Sequence, residues 1–133
     1  MLTELVIQDQ NTSSLGKTEH SFTVHVSGET ISARELIRQR VFQEVEEYNQ
    51  RQPAVFRLLV QPGDTERTLN GFKFSRPRIV DAEAQFRQAV AAFEANGFIL
   101  LVDDRQIEEL DTEIRLEPQR RVTFLKLVPL VGG

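Results

Sequence analysis

An α+β fold is predicted from three segments of the chain. Phe22, Val24 and Val26 alternate with Ser21, Thr23 and His25, the period of a half-buried strand. Ile37, Val41, Val45 and Tyr48 fall four, four and three residues apart, on one face of a helix. Phe98-Ile99-Leu100-Leu101-Val102 is an unbroken apolar run between Gly97 and Asp103, the mark of a strand covered on both faces. Strand and helix periods thus occupy separate stretches of one 133-residue chain, a length that fits a single hydrophobic core.

The elements follow in order. Leu5, Val6 and Ile7 form a β-prone run, and Asn11 to Gly16 is rich in turn formers, so the chain opens with a hairpin carrying a long loop. Ser32-Ala33-Arg34-Glu35 has the form of a capping box, in which the serine oxygen satisfies a free amide at a helix start, so a helix should begin near Ala33. Leu36 and Phe42 widen its apolar stripe, its other face is charged, and Arg51-Gln52-Pro53 ends it because proline disfavours helix in the residue before it. Beyond it, Val55 to Val60 predicts a strand, Pro62-Gly63-Asp64 a turn and Leu69 to Phe74 a second strand. Asp81 should cap a second helix in which Phe86, Ala89, Val90 and Phe93 share a face, stopped by Asn96-Gly97. Asp111-Thr112-Glu113-Ile114 reads as a turn with one buried anchor, and Val122 to Val128 as the final strand.

Composition narrows the functional classes. The chain is 40% hydrophobic and 27% charged, close to the globular average, which argues against a disordered or fibrous protein. No apolar run reaches the roughly 18 residues of a membrane span, and Met1-Leu2-Thr3-Glu4 lacks the basic start of a secretory signal, so the cytoplasm is the expected location. Cysteine is absent, which removes disulfides, thiolate metal sites and a cysteine nucleophile together. A net charge of -4 speaks against a nucleic-acid footprint.

No pairing of nucleophile with base, acid with base, or clustered metal ligands stands out, so no catalytic residue, metal or resident cofactor is expected. His20 and His25 lie five apart with no third ligand in sight and read as surface histidines. Asp103-Asp104 with Glu108-Glu109 lacks the spacing and glycine of a calcium loop and reads as a solvated turn. Phe72-Lys73-Phe74-Ser75-Arg76-Pro77-Arg78 interleaves rings and cations, as a single-strand nucleic-acid platform does; the acidic total favours an inserted strand with a basic rim.

What remains is the ending Val128-Pro129-Leu130-Val131-Gly132-Gly133. A tail that threads a narrow cleft benefits from glycine, whose missing Cβ lets the backbone approach closely. Pro129 would stiffen the exit from the last strand. In that strand Val122, Phe124 and Lys126 point one way and Thr123, Leu125 and Leu127 the other. One set should face the helix. The other should pack beneath the segment of about 52–96, in preference to forming an exposed patch.

Residues 97–133 resemble the β-grasp proteins: ubiquitin and its relatives, and the sulfur carriers of molybdopterin and thiamine synthesis. Phe98 to Val102 is similar to the family's middle strand, Asp103 to Ile107 to its turn and short fourth strand, and Val122 to Val128 to the last strand. The ending is similar to that of the small subunit of molybdopterin synthase; ubiquitin carries arginines before its glycines, and none stands at 128 to 131 here. The resemblance implies a mixed sheet with the final strand in its middle and a long helix across it. It further implies one domain over 1–133, an insertion at about 52–96 with its own helix, and a tail at 129–133. By the same resemblance Gly132 and Gly133 are the activation and conjugation residues, and Pro129, Leu130, Val131, Leu125 and Leu127 contact partners. The implied partners are an ATP-using adenylating enzyme and, for a modifier, a conjugating enzyme, an isopeptidase and target proteins. Three functions stay open: a covalent modifier, a carrier of sulfur as a terminal thiocarboxylate, and a binding module whose glycines are incidental.

Overall fold

The computed structural model describes residues 2–12, 20–68 and 71–127. In chain order the elements are β1 (Leu2–Asn11), β2 (His20–Ser27), β3 (Thr30–Ser32), α1 (Ala33–Arg51), β4 (Thr65–Thr68) and β5 (Gly71–Phe74). There follow α2 (Ala82–Glu94), β6 (Phe98–Val102), β7 (Arg105–Ile107), β8 (Glu113–Arg115) and β9 (Arg121–Lys126). The described residues divide into two compact units, one within Met1–Glu35 and Phe93–Gly133, the other within Leu36–Ala92. Among them no helix is long and apolar enough to cross a membrane.

The first unit holds a five-stranded sheet in the order β2-β1-β9-β6-β7. β9 runs parallel to β1 and antiparallel to β6, so the sheet is mixed and the last strand is its middle one. Alternation decides which side is apolar: Leu5, Ile7, Val24, Val26, Phe98, Leu100, Val102, Val122 and Phe124 are all buried. The apolar run of β6 is not covered on both faces, because Ile99 and Leu101 are only half-buried while Phe98, Leu100 and Val102 are enclosed. Asp103 and Asp104, with φ of 48° and 70°, make the two-residue connection between β6 and β7. Left-handed dihedrals at both loop positions match the strand twist, and aspartate tolerates them better than most residues. β3 and β8, which no periodicity signalled, form a separate two-stranded ladder around the buried pair Ile31 and Ile114.

Helix α1 starts as its capping sequence requires, the Glu35 amide donating to Ser32 Oγ at 3.1 Å. It ends where Gln52 turns left-handed (φ 42°) ahead of Pro53 and donates its amide to the Tyr48 carbonyl at 2.6 Å. Leu36, Ile37, Val41, Val45 and Tyr48 are buried as expected. Phe42 is half-buried, with the Arg38 guanidinium 4.3 Å above its ring.

In the second unit the strand expected over Val55 to Val60 shrinks to a single bridge, Phe56 with Phe72. Side chains satisfy the backbone there instead of a ladder: the Leu59 amide donates to Glu44 Oε1 (2.7 Å), and Gln85 Nε2 donates to the Val60 carbonyl (3.1 Å). The strand expected from Leu69 is described from Gly71 to Phe74, paired with β4, whose Thr-Glu-Arg-Thr sequence carried no apolar pattern. Asp81 Oδ1 accepts the Glu83 amide at 3.1 Å, capping α2 as expected. Ala89 and Phe93 are buried as expected and Phe86 and Val90 half-buried, while Gln85 joins the buried face.

Tyr48, Phe56, Phe72 and Phe74 form an aromatic cluster, with Tyr48 and Phe56 centroids 4.3 Å apart and Phe56 and Phe74 stacked at 5.2 Å. Burial pushes the Tyr48 phenol above its usual 10.0 and so favours its neutral form, while a backbone hydrogen bond at Arg78 and the Arg78 charge act in the opposite direction. Gly71 makes the cluster possible: its φ is +149°, and a Cβ there would lie 2.2 Å from the Phe56 carbonyl oxygen. Gly71→Ala should therefore break the Phe56–Phe72 bridge and cost about 2 kcal/mol or more in urea denaturation, whereas Gly63→Ala, at a position with no heavy atom within 4 Å, should be near neutral.

Candidate functional site

Strand β9 ends the described chain and places two of the expected contact residues on the sheet's outer side. Val122 and Phe124 are fully enclosed on the inner face; on the outer face Thr123 is buried, Leu125 half-buried and Leu127 39% exposed. The register sets Leu125 beside Ile99 on β6 and Gln10 on β1, and Thr123 beside Leu101 and Gln8. Directly opposed residues share a face, so Ile99, Leu101, Leu125 and Leu127 make a continuous apolar strip. Gln8, Gln10 and Gln106, the last opposite Leu101, rim it with uncharged amides. The expectation that Leu125 and Leu127 would be buried is corrected: water still reaches both. Hydrophobic side chains with neutral hydrogen-bonding neighbours suit a protein surface better than an ion or a small charged substrate.

The Leu127 amide donates to the Gly97 carbonyl at 3.4 Å, the last described backbone bond. Pro129, Leu130, Val131, Gly132 and Gly133 lie outside the described residues. Ile99 and Leu101, which complete the strip, escaped sequence reasoning because five consecutive apolar residues give no alternation to betray an open face.

The other constellations resolve into structural roles. Asp103 Oδ1 accepts the Arg121 amide at 3.1 Å, and Asp103 Oδ2 lies 2.9 Å from Arg120 Nε, so this carboxylate braces the turn beside β9. Arg120 Nη1 donates to the Arg115 carbonyl at 2.8 Å. Among the described residues no three histidine, aspartate or glutamate side chains cluster as metal ligands do. His25 pairs with Glu4 at 3.4 Å, and His20 lies against the Phe22 ring. Phe72 and Phe74 are buried in the aromatic cluster, which leaves their rings unavailable to stack on bases. A cleft of about 450 Å³ near β7 and β8 sets Arg105, Arg115 and Arg120 against Glu108, Glu109 and Glu113, so its charges compensate. Compared with known proteins, the chain matches no family model, no curated protein and no solved structure.

Proposed function

We propose that the chain is a β-grasp protein of the ubiquitin-like kind, a non-catalytic modifier whose Gly133 carboxylate is activated by a partner and joined to target proteins. One observation carries this reading. The final strand β9 lies inside the mixed sheet, parallel to β1, and the residues that follow it end in Gly132-Gly133. An adenylating partner would join the carboxylate to AMP, releasing pyrophosphate. A partner thiol would displace AMP, and a target amine would then displace the thiol to leave an isopeptide bond. The chain itself needs only an accessible tail and a docking surface, for which the strip of Ile99, Leu101, Leu125 and Leu127 is suited. The segment of about 52–96 is then an insertion outside the minimal fold.

Pro129 and the lack of arginine at 128 to 131 favour a second reading, in which the activated carboxylate becomes a thiocarboxylate that delivers sulfur. Protein purified from its native host separates the two. Conjugation should give ladders on denaturing gels that vanish when Gly132-Gly133 is deleted, whereas a sulfur carrier should show, by intact mass, the exchange of one oxygen for sulfur. Gly133→Ala should abolish either product without lowering the melting temperature. Activity and partner binding unchanged after deletion of both glycines would defeat both covalent readings in favour of a binding module.

A further inference from the structure

The second unit holds a cleft of about 460 Å³ along helix α2. Ala84 and Ala91 share one face of the helix and give the cleft a small-residue floor, flanked by Pro62 and Val80. Side chains fix both flanks. Thr65 Oγ1 donates to the Pro62 carbonyl (2.6 Å), while Asn49 holds Val80 twice, Nδ2 donating to its carbonyl (3.0 Å) and Oδ1 accepting its amide (2.8 Å). A preformed apolar cleft of this size with a few placed polar groups is the common form of a binding site.

The polar groups are only partly used by the fold. Gln85 is 4% exposed, and its Nε2 donates to the Val60 carbonyl at 3.1 Å. A carbonyl can only accept, so this bond sets the orientation of the amide. Gln85 Oε1 is left, on a buried side chain that lines the cleft, with no donor to accept from among the described residues. Arg78 is anchored through Nη2 to the Gly63 carbonyl at 2.9 Å, with its guanidinium 4.8 Å from the centre of the Phe74 ring. A guanidinium carries five N–H donors, so most remain for a ligand. Arg87, exposed at the rim, has no partner among the described residues. The chain around the cleft is cationic as well: residues 67–80 include Arg67, Lys73, Arg76 and Arg78 and no acid.

We propose that this cleft binds an extended acidic peptide segment of a partner protein. Its carboxylates pair with Arg78 and Arg87, a backbone N–H donates to Gln85 Oε1, and small apolar side chains rest on Ala84 and Ala91. A peptide fits better than a nucleotide, because no aromatic ring lines the cleft and a base would have nothing to stack on. All the lining residues belong to the second unit, so the proposal does not rest on the tail or on the proposed function.

The test is fluorescence anisotropy of the full chain with a labelled, end-capped decapeptide of alternating glutamate and alanine. Expected is saturable binding with a dissociation constant below about 1 mM, weakened by salt. The same peptide with glutamine for glutamate should bind more weakly, and so should one N-methylated along its backbone, which keeps the charge and lacks the donors. Arg87→Gln should raise the dissociation constant about threefold or more. Ala91→Leu, which fills the cleft without changing its charge, should raise it likewise. Both positions are exposed, so the melting temperature should not fall. Arg51→Gln removes an equal charge from the end of α1, away from the cleft, and should change nothing. Absence of peptide binding, an equal loss in Arg51→Gln, or indifference to Ala91→Leu or to N-methylation overturns the proposal. So does binding of AMP, or of phosphatidylserine vesicles, in place of the peptide.

Discussion

Phe124→Ala should cost about 3–5 kcal/mol, the range for emptying a buried aromatic site, and lower the melting temperature by roughly 10–20 °C in a circular-dichroism scan. Phe124 is 0% exposed, its strand is hydrogen-bonded on both sides by β1 and β6, and its ring lies 5.7 Å from that of Phe98. Strands on both sides leave little room for the surroundings to collapse into the vacated space, which places the substitution at the costly end. A total stability of about 5–15 kcal/mol makes that loss a large fraction of the whole. Leu127→Ala, three residues on and 39% exposed, is the control: it should leave the melting temperature within about 2 °C while weakening partner binding. Equal destabilisation by the two would remove β9 from the centre of the sheet.

Arg40→Ala should be comparably severe for a different reason. Its side chain is 2% exposed, with Nε 3.3 Å and Nη2 3.4 Å from Glu44 Oε2, while Glu44 Oε1 accepts the Leu59 amide at 2.7 Å. Deleting the guanidinium leaves a nearly buried carboxylate without this counter-charge and a hole where the alkyl stem lay, a combination costing about 3–5 kcal/mol. Replacing the pair together is milder. Arg40→Met with Glu44→Gln keeps the stem's bulk and an oxygen for Leu59, and should recover most of the loss, because a buried ion pair contributes little beyond a well-packed neutral substitute. Chemical denaturation of the single and double variants measures the coupling. Additive losses would show that the two side chains act separately.

Elements governed by near neighbours were legible in the sequence. Ser32 and Asp81 act on amides two or three residues away, so both helix starts could be read from residue order alone. The alternation of Val122 to Leu127 divided the side chains of β9 correctly into two sets, without showing that the set bearing Leu125 and Leu127 stays open to water. The strand expected over Val55 to Val60 failed because its backbone partners are side chains from distant positions, Glu44 and Gln85, which no local period announces. The burial of Arg40 had no local signal either: helical spacing shows which residues share a side, not that the side of an arginine will be enclosed. Of the candidate site, the resemblance pointed to Leu125 and Leu127, alternation set them on one side of β9 and expected that side to be covered, and Ile99 and Leu101 joined them only through the pairing of β6 with β9.

By itself the sequence determined the helix boundaries, the opening hairpin and the apolar strand after Gly97, since each depends on chemistry within a few residues. Tertiary structure alone decided that β9 lies parallel to β1, that β3 finds β8, and that Ile99, Leu101, Leu125 and Leu127 form one strip. Pairing a strand with another far along the chain is set by the hydrophobic burial it permits and the backbone bonds it completes, quantities that belong to the assembled sheet and to no single segment.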